Sequence, residues 1–119
     1  MIKANEIRVG NWLEWNKKPF KVCAIFRNVT ENELWAKDNN ELHPIPLTEE
    51  ILLKCGFEYY KESKSYELDC DFSVTIWGKY DSENNLHVSC DEIGIEIHYL
   101  HQLQNFYFAL TGKELEIDL

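Results

Sequence analysis

Short runs of apolar residues, broken by polar clusters, occupy the first 47 positions of the chain. Runs of this length around turn-forming residues predict β-hairpins. The predicted strand segments are 7–9, 11–15, 20–26, 33–37 and 41–45, with turns at 16–19 and 38–40. Both faces of the run 20–26 carry apolar side chains, which favours a strand covered on both sides. Four or five short strands in this space predict a small, strongly bent, β-barrel-like lobe over residues 1–47.

A short helix is predicted over residues 48–56, because both of its ends are marked in the sequence. Thr48 is an N-cap residue, and Gly56 suits the left-handed position that ends a helix. Leu47 precedes the cap and can pack onto Leu52, as in a hydrophobic staple. This helix is expected to connect the N-terminal lobe to the rest of the chain.

Beyond residue 57 the apolar positions recur at every second residue in four segments. Period two sustained in this way predicts an antiparallel sheet with one buried face. The segments are 66–70, 74–77, 86–90 and 93–97, with a polar turn at 81–85. From residue 99 the period becomes that of a helix. The chain is therefore predicted to be an α+β protein, in which a sheet and a C-terminal helix over residues 57–119 form one compact unit with the N-terminal lobe.

The predicted C-terminal helix lies in a window, residues 97–112, without Asp, Glu, Lys or Arg, although 28% of the chain is charged. Its apolar stripe is expected to face the sheet and consists of Leu100, Leu103, Tyr107 and Leu110. Its second stripe is polar yet uncharged, and this candidate binding face consists of His101, Gln104, Asn105 and Phe108. Amides without charge suit a surface that excludes water. That surface is either covered by the chain's own N-terminal lobe or forms an interface or a pocket. A homo-oligomer that uses this surface as its interface is one of these alternatives.

The net charge of −9 is concentrated in the second half of the chain. Residues 1–60 hold nine acidic and eight basic side chains, whereas residues 61–119 hold twelve and four. An acidic surface repels phosphate backbones, so direct binding of DNA or RNA is disfavoured. A basic partner or mimicry of nucleic acid fits this charge, and so does a face that only aids solubility.

Aromatic and basic side chains form a second set of candidate binding residues. Four tryptophans are many for 119 residues, and exposed aromatic groups can grip peptides and bases. Arginine occurs at two positions, which leaves few groups for clamping a phosphate. The set consists of Trp12, Trp15, Trp35, Trp77, Arg8 and Arg27.

No catalytic, metal or cofactor site is predicted. The chain has no phosphate-binding loop, dinucleotide-binding glycine motif or nucleophile elbow. Three weak spacings are more often structural than functional: His98 with His101, His87 with Cys90, and Asp69 with Asp71. The four cysteines form no paired motif and are expected to be reduced.

The sequence predicts a cytoplasmic protein. The first residues contain no apolar core of a secretory signal, and no run approaches the roughly 18 apolar residues of a membrane span. With 45% hydrophobic residues, the chain can bury a core and is expected to fold.

Three blocks of the chain are distinctive: IKANEIRVGNW at 2–12, PIPLTEEILLKCGF at 44–57 and HQLQNFYFALTGKEL at 101–115. In order and spacing they resemble a family of small proteins of unassigned activity from phages, prophages and mobile elements of gut Bacteroidales. Phe106 departs from the Leu common in relatives, and residues 58–96 carry no shared motif. The resemblance implies a setting inside a bacterial host and no particular mechanism.

These features favour a non-catalytic accessory protein of a phage or mobile element that acts by binding a host protein, such as one in antiviral defence. A second hypothesis is a sponge that sequesters a small nucleotide-like signal between aromatic side chains. An acidic mimic of nucleic acid is a third, and a metal or thiol enzyme is a fourth. The expected partner is therefore a host protein or a small ligand, without a cofactor or a membrane.

Overall fold

The computed structural model describes residues 7–15, 17–22, 42–70, 74–90 and 96–119. Within these residues the protein has two antiparallel sheets and two helices, which confirms the α+β class. Neither of these two described helices is long and apolar enough to cross a membrane.

The N-terminal sheet has three described strands in the order β2-β1-β3. They are β1 (Trp12–Trp15), β2 (Lys18–Lys21) and β3 (Leu42–His43). β1 and β2 form a tight hairpin that reverses through Lys17, whose φ of 64° is left-handed. Pro19 lies in β2 opposite Glu14. Among the described strands, β2 lies at an edge of this sheet, where a residue without an N–H is tolerated.

Two expectations for this region are corrected. The strand after the turn begins at Lys18 rather than at Phe20, and the two residues of the predicted run 20–26 that lie in β2 are exposed rather than covered on both sides. The reason is that β2 has β1 as its neighbour on one side and carries lysines at both ends. Val22 is buried, and positions 23–26 of that run lie outside the described residues. The described strands form an open sheet and not a closed barrel. The predicted strand 33–37 and turn 38–40 lie outside the described residues.

The helix α1 (Glu49–Lys54) has the two ends that the sequence predicts. Oγ1 of Thr48 accepts a hydrogen bond at 3.2 Å from a backbone N–H of the first turn. Gly56 follows the helix with a φ of 98°. Leu47 and Leu52 are both buried in the main hydrophobic core, so the helix is fixed at its start as well as capped.

The C-terminal sheet has five antiparallel strands in sequence order. They are β4 (Glu58–Tyr60), β5 (Ser65–Cys70), β6 (Val74–Tyr80), β7 (Leu86–Ser89) and β8 (Glu96–Ile97). Four of them overlap the predicted segments. β4 is missing from the prediction because its three residues are all exposed and show no alternation. One row across the core face consists of Tyr66, Gly78, Val88 and Ile97.

Both described helices pack on this core face. Gly78 makes room for α1, since a Cβ atom at this position would lie 2.7 Å from Cδ1 of Leu52. The second helix, α2 (Leu100–Thr111), buries Leu100 and Leu103 in the same core. The opposite face of the sheet is therefore left to polar and amphipathic side chains.

The two sheets are joined directly through the residues that precede each helix. The N–H of Leu47 donates to the carbonyl of His98 at 3.0 Å, and the N–H of Leu100 donates to the carbonyl of Ile45 at 2.8 Å. β1 also contacts α2. The start of β1 consequently lies beside the uncharged face of α2.

Candidate functional site

The uncharged face of α2 contacts the chain's own N-terminal segment. Gln104 is 2% exposed, and its amide bridges two backbone groups. Its Oε1 accepts a hydrogen bond from the N–H of Trp12 at 2.7 Å, and its Nε2 donates to the carbonyl of Gly10 at 2.9 Å. A carboxylate lacks the donor and an ammonium lacks the acceptor, so a neutral amide is the group that satisfies both.

Asn105 extends this contact toward the surface. Its Oδ1 accepts from Nε of Arg8 at 3.0 Å and from Nδ2 of Asn11 at 2.8 Å. Asn11 is fully buried, and its Oδ1 accepts from the backbone N–H of Arg8 at 2.7 Å. These bonds hold the turn before β1 against the helix. We refer to Arg8, Asn11, Gln104 and Asn105 as the amide cluster.

Arg8 closes the amide cluster at the boundary with solvent. Its guanidinium pairs with the carboxylate of Glu114 and lies 4.4 Å from the ring centre of Phe108. The side chains of Arg8 and Glu114 are 29% and 52% exposed. An ion pair this exposed is worth at most about 1 kcal/mol. The charged groups of the contact between α2 and the N-terminal segment therefore lie at its solvent-exposed edge.

The four residues predicted as a binding face divide between interior and surface. His101 and Gln104 are buried, Asn105 is half-buried and Phe108 is exposed. The ring of His101 stacks on that of Tyr99, with 6.2 Å between the ring centres. Of the two alternatives that the sequence leaves open, a contact with the chain's own N-terminal segment accounts for Gln104 and Asn105.

Trp12 borders a cleft of about 720 Å³ between β1 and the C-terminal tail. Its Nε1 donates to the carbonyl of Ile117 at 3.2 Å, and Nζ of Lys21 lies 5.8 Å from its ring centre. Lys21 and Lys54 are the cations of the lining, and Lys54 also pairs with Glu50 at 3.3 Å. The lining carboxylates are Glu114, Glu116 and Asp118. Because acids outnumber bases there, the cleft is a poor site for a phosphate-bearing ligand.

Trp77 lies at the middle of the sheet face opposite both described helices. We call this face, over the described strands, the outer face. Its side chains are Glu58, Tyr60, the buried Ser65, Glu67, Asp69, Thr75, Trp77, Lys79, His87, Ser89 and Glu96. Trp77 is half-buried between Glu67 on β5 and Ser89 on β7, and Nζ of Lys79 lies 5.2 Å from its ring centre. The outer face is thus acidic around a central indole.

A pocket that the sequence does not predict lies on the core side of the sheet, beside α1. Tyr59 and Tyr66 face each other across β4 and β5, with ring centres 4.9 Å apart at 51°. The hydroxyl of Tyr80 donates to Oε1 of Glu49 at 2.6 Å. Strand register and helix docking bring these residues together, so no local sequence signal marks them.

The other predicted aromatic and basic residues have structural surroundings or lie outside the described ranges. The half-buried Trp15 has its ring centre 5.6 Å from that of Phe20. It packs against a small core formed by Ile7, Leu13 and Val22. Trp35 and Arg27 lie outside the described residues.

The described histidine and cysteine side chains are the groups that bear on metal and thiol chemistry. No group of three or more His, Cys, Asp or Glu side chains described there is placed to hold a metal ion. The rings of His87 and His98 are 6.0 Å apart, and His98 lies 3.7 Å from a carboxylate oxygen of Glu96. Burial raises the pKa of Cys55 to about 12. This thiol is therefore protonated, and a weak nucleophile, at neutral pH.

Comparison with protein-family models, with curated proteins and with solved structures gives no match for this chain.

Proposed function

We propose that this protein is a non-catalytic accessory protein of a phage or mobile element, and that it binds a basic surface of a host protein through the outer face. The observation that carries the proposal is Trp77 at the centre of a sheet face on which four carboxylates accompany one ammonium group. The phage setting rests on the resemblance of the three sequence blocks. A role against host defence follows from that setting alone.

The outer face is large enough to form the centre of a protein-binding surface. Its strands have three, six, seven, four and two residues. At about 4.8 Å between strands and about 3.3 Å per residue, these strands cover roughly 350 Å². This area is a little under half of the roughly 800 Å² that a standard interface buries on each partner.

The side chains of this face suit a partner's Lys or Arg. Glu67 is the cross-strand neighbour of Trp77, and Nζ of the exposed Lys79 lies over the indole. A partner's guanidinium that displaces Lys79 can lie over the indole while its N–H groups bond the carboxylate. Asp69 follows on the same face of β5 and is exposed. Aromatic anchors surrounded by polar groups are typical of binding hot spots. A chain of net charge −9 also attracts a basic partner from a distance, more strongly at low salt.

Charge reversal on the outer face tests the proposal. The tagged protein is incubated with lysate of a gut Bacteroidales host, and the retained proteins are quantified by mass spectrometry. The double variant Glu67→Lys/Asp69→Lys is expected to recover at least tenfold less of a specific basic protein than the wild type. The control Glu62→Lys/Glu83→Lys changes the net charge equally at exposed turn positions outside the face and is expected to recover as much as the wild type.

Equal losses in the two double variants would show that net charge, and not the outer face, retains the partner, and the proposal would be wrong. Equal recovery by the first double variant and the wild type would also refute it. Competition by duplex DNA for the retained partner, weakening with salt, would instead identify the protein as a nucleic-acid mimic.

A further inference from the structure

We propose that the pocket beside α1 binds an organic cation, an alkylammonium or guanidinium group, between the rings of Tyr59, Tyr66 and Tyr80 and the carboxylate of Glu49. The pocket has a volume of about 550 Å³, and Lys64 completes its lining. It lies on the core side of the sheet, whereas the outer face lies on the other side. The inference therefore stands or falls independently of the proposed function.

The position of the carboxylate follows from the packing of α1. Gly78 pairs with Tyr66 and lets Leu52 approach the sheet closely. Glu49 is the first residue of the same helix, so this approach brings its carboxylate beside Tyr80. A carboxylate placed by a buried helix contact is held in position before any ligand arrives, which lowers the cost of binding.

The hydroxyl of Tyr80 is engaged with that carboxylate. It donates to Oε1 of Glu49 at 2.6 Å. This hydrogen bond raises the pKa of Tyr80 to about 12, while burial, followed by the influence of the Glu49 carboxylate, raises the pKa of Tyr66. With the hydroxyl of Tyr80 engaged, its ring offers an electron-rich face, and the carboxylate beside it repels an anionic ligand.

Ring faces with one carboxylate are the chemistry that recognises ammonium and guanidinium groups. Tyr59 and Tyr80 are 48% and 44% exposed, so a ligand can reach the pocket from solvent. Tyr66 is 7% exposed and forms the inner wall. The tilt of 51° between the rings of Tyr59 and Tyr66 makes a corner into which a rounded cation fits.

Lys64 is the chain's own cation at this pocket, and its role follows from charge. It lies in the exposed turn between β4 and β5 with a φ of 51°. Among the described residues it forms no ion pair with Glu49. Its ammonium repels a bound cation from the rim, so its removal is expected to tighten binding.

Titration with tetramethylammonium chloride, followed by the aromatic proton and carbon resonances of the tyrosines, tests the site. Saturable shifts of Tyr59, Tyr66 and Tyr80 are expected at about millimolar concentration, as for a few weak cation–π contacts. Glu49→Gln is expected to weaken binding at least tenfold, and Lys64→Ala to tighten it several-fold. Sodium chloride at equal ionic strength and the neutral tert-butyl compound 3,3-dimethyl-1-butanol serve as ligand controls.

The chain offers a matched control variant in Glu58→Gln. Tyr60 donates to Glu58 at 3.1 Å on the outer face, so this pair repeats the phenol–carboxylate chemistry without the pocket. Glu58→Gln is expected to leave tetramethylammonium binding unchanged. Equal weakening by Glu49→Gln and Glu58→Gln, equal shifts with the neutral alcohol, or no saturable shifts of the pocket tyrosines would each overturn the inference.

A second titration distinguishes the sources of the cation. N-acetyl-lysine amide and N-acetyl-arginine amide carry the two basic side chains of proteins. Tighter binding of either one than of tetramethylammonium would identify the ligand as a basic side chain of a protein. Tighter binding of tetramethylammonium would identify a free quaternary ammonium compound. Both results uphold the cation site provided that Glu49→Gln weakens the binding at least tenfold.

Discussion

Replacing Gln104 with alanine tests whether the uncharged face of α2 stabilises the fold from within. The substitution removes the acceptor for the N–H of Trp12, in a buried bond, and the donor for the carbonyl of Gly10, in a partly buried one. Leaving a buried backbone group without a partner costs about 1–3 kcal/mol, and the partly buried carbonyl regains some of its loss from water. One buried methylene adds about 0.8 kcal/mol. The expected loss in free energy of unfolding is therefore about 3 kcal/mol.

Urea unfolding, followed by circular dichroism, measures this loss. A chain of 119 residues has a stability of roughly 6–18 kcal/mol, so a loss of about 3 kcal/mol is resolved easily. The matched control is Gln102→Ala, the same truncation on the exposed side of the same helix. Gln102 accepts bonds of 3.3 Å from the N–H groups of His98 and Tyr99, and its loss is expected to cost less than about 1 kcal/mol. If Gln104→Ala cost no more than Gln102→Ala, the structural role assigned to the amide would be refuted.

Two further predictions concern the packing of α1 on the sheet. Gly78→Ala is expected to destabilise the protein by about 1–3 kcal/mol in urea unfolding, because its Cβ would lie 2.7 Å from Cδ1 of the fully buried Leu52; an unchanged midpoint would contradict this packing. The second concerns Tyr80, whose pKa is raised from 10.0 to about 12 mainly by the hydrogen bond to Glu49. Its contribution to stability is fully present below pH 10 and is lost as the pH rises from 10 to 12, since the ionised phenol no longer donates. The phenolate absorbance of Tyr80 is measured as the difference from a Tyr80→Phe variant. In Glu49→Gln it is expected to appear nearer pH 10 than in the wild type. An unshifted titration would count against the hydrogen bond between Tyr80 and Glu49.

The parts of the fold that local chemistry determines are the parts that the sequence predicts. Thr48 and Gly56 mark the ends of α1 through a cap bond and a left-handed φ, and both are set by a few neighbouring residues. Period two likewise identifies β5, β6 and β7, because each buries one face against helices. Periodicity does not predict β4, because Tyr59 and Tyr60 are exposed on opposite faces of this edge strand and produce no alternation of apolar and polar residues.

The candidate sites required information that periodicity does not hold. The missing charge around Gln104 indicates a dehydrated surface, but it cannot say whether Trp12 of the same chain or a partner covers it. The cation pocket depends on the register that sets Tyr59 opposite Tyr66 and on the position of Glu49 at the start of a docked helix. Tertiary packing sets the strand register, so these residues come together only in the folded protein and no local sequence pattern marks them as a group.

The amide cluster accounts for the absence of charge at Gln104 and Asn105, the two positions of the window 97–112 that contact the chain's own N-terminal segment. Polarity in the cluster is graded by depth: the buried Gln104 is neutral, Asn105 is neutral and half-buried, and the charged Arg8 meets Glu114 at the surface. This order follows from the cost of removing a charge from water, which an amide avoids while still satisfying backbone groups. A face already committed to the chain's own turn is not free to hold a partner. Among the described residues, two accessible surfaces present carboxylates beside aromatic rings: the acidic outer face around Trp77 and the tyrosine pocket on the other side of the same sheet. A basic group is therefore the ligand that we propose for both.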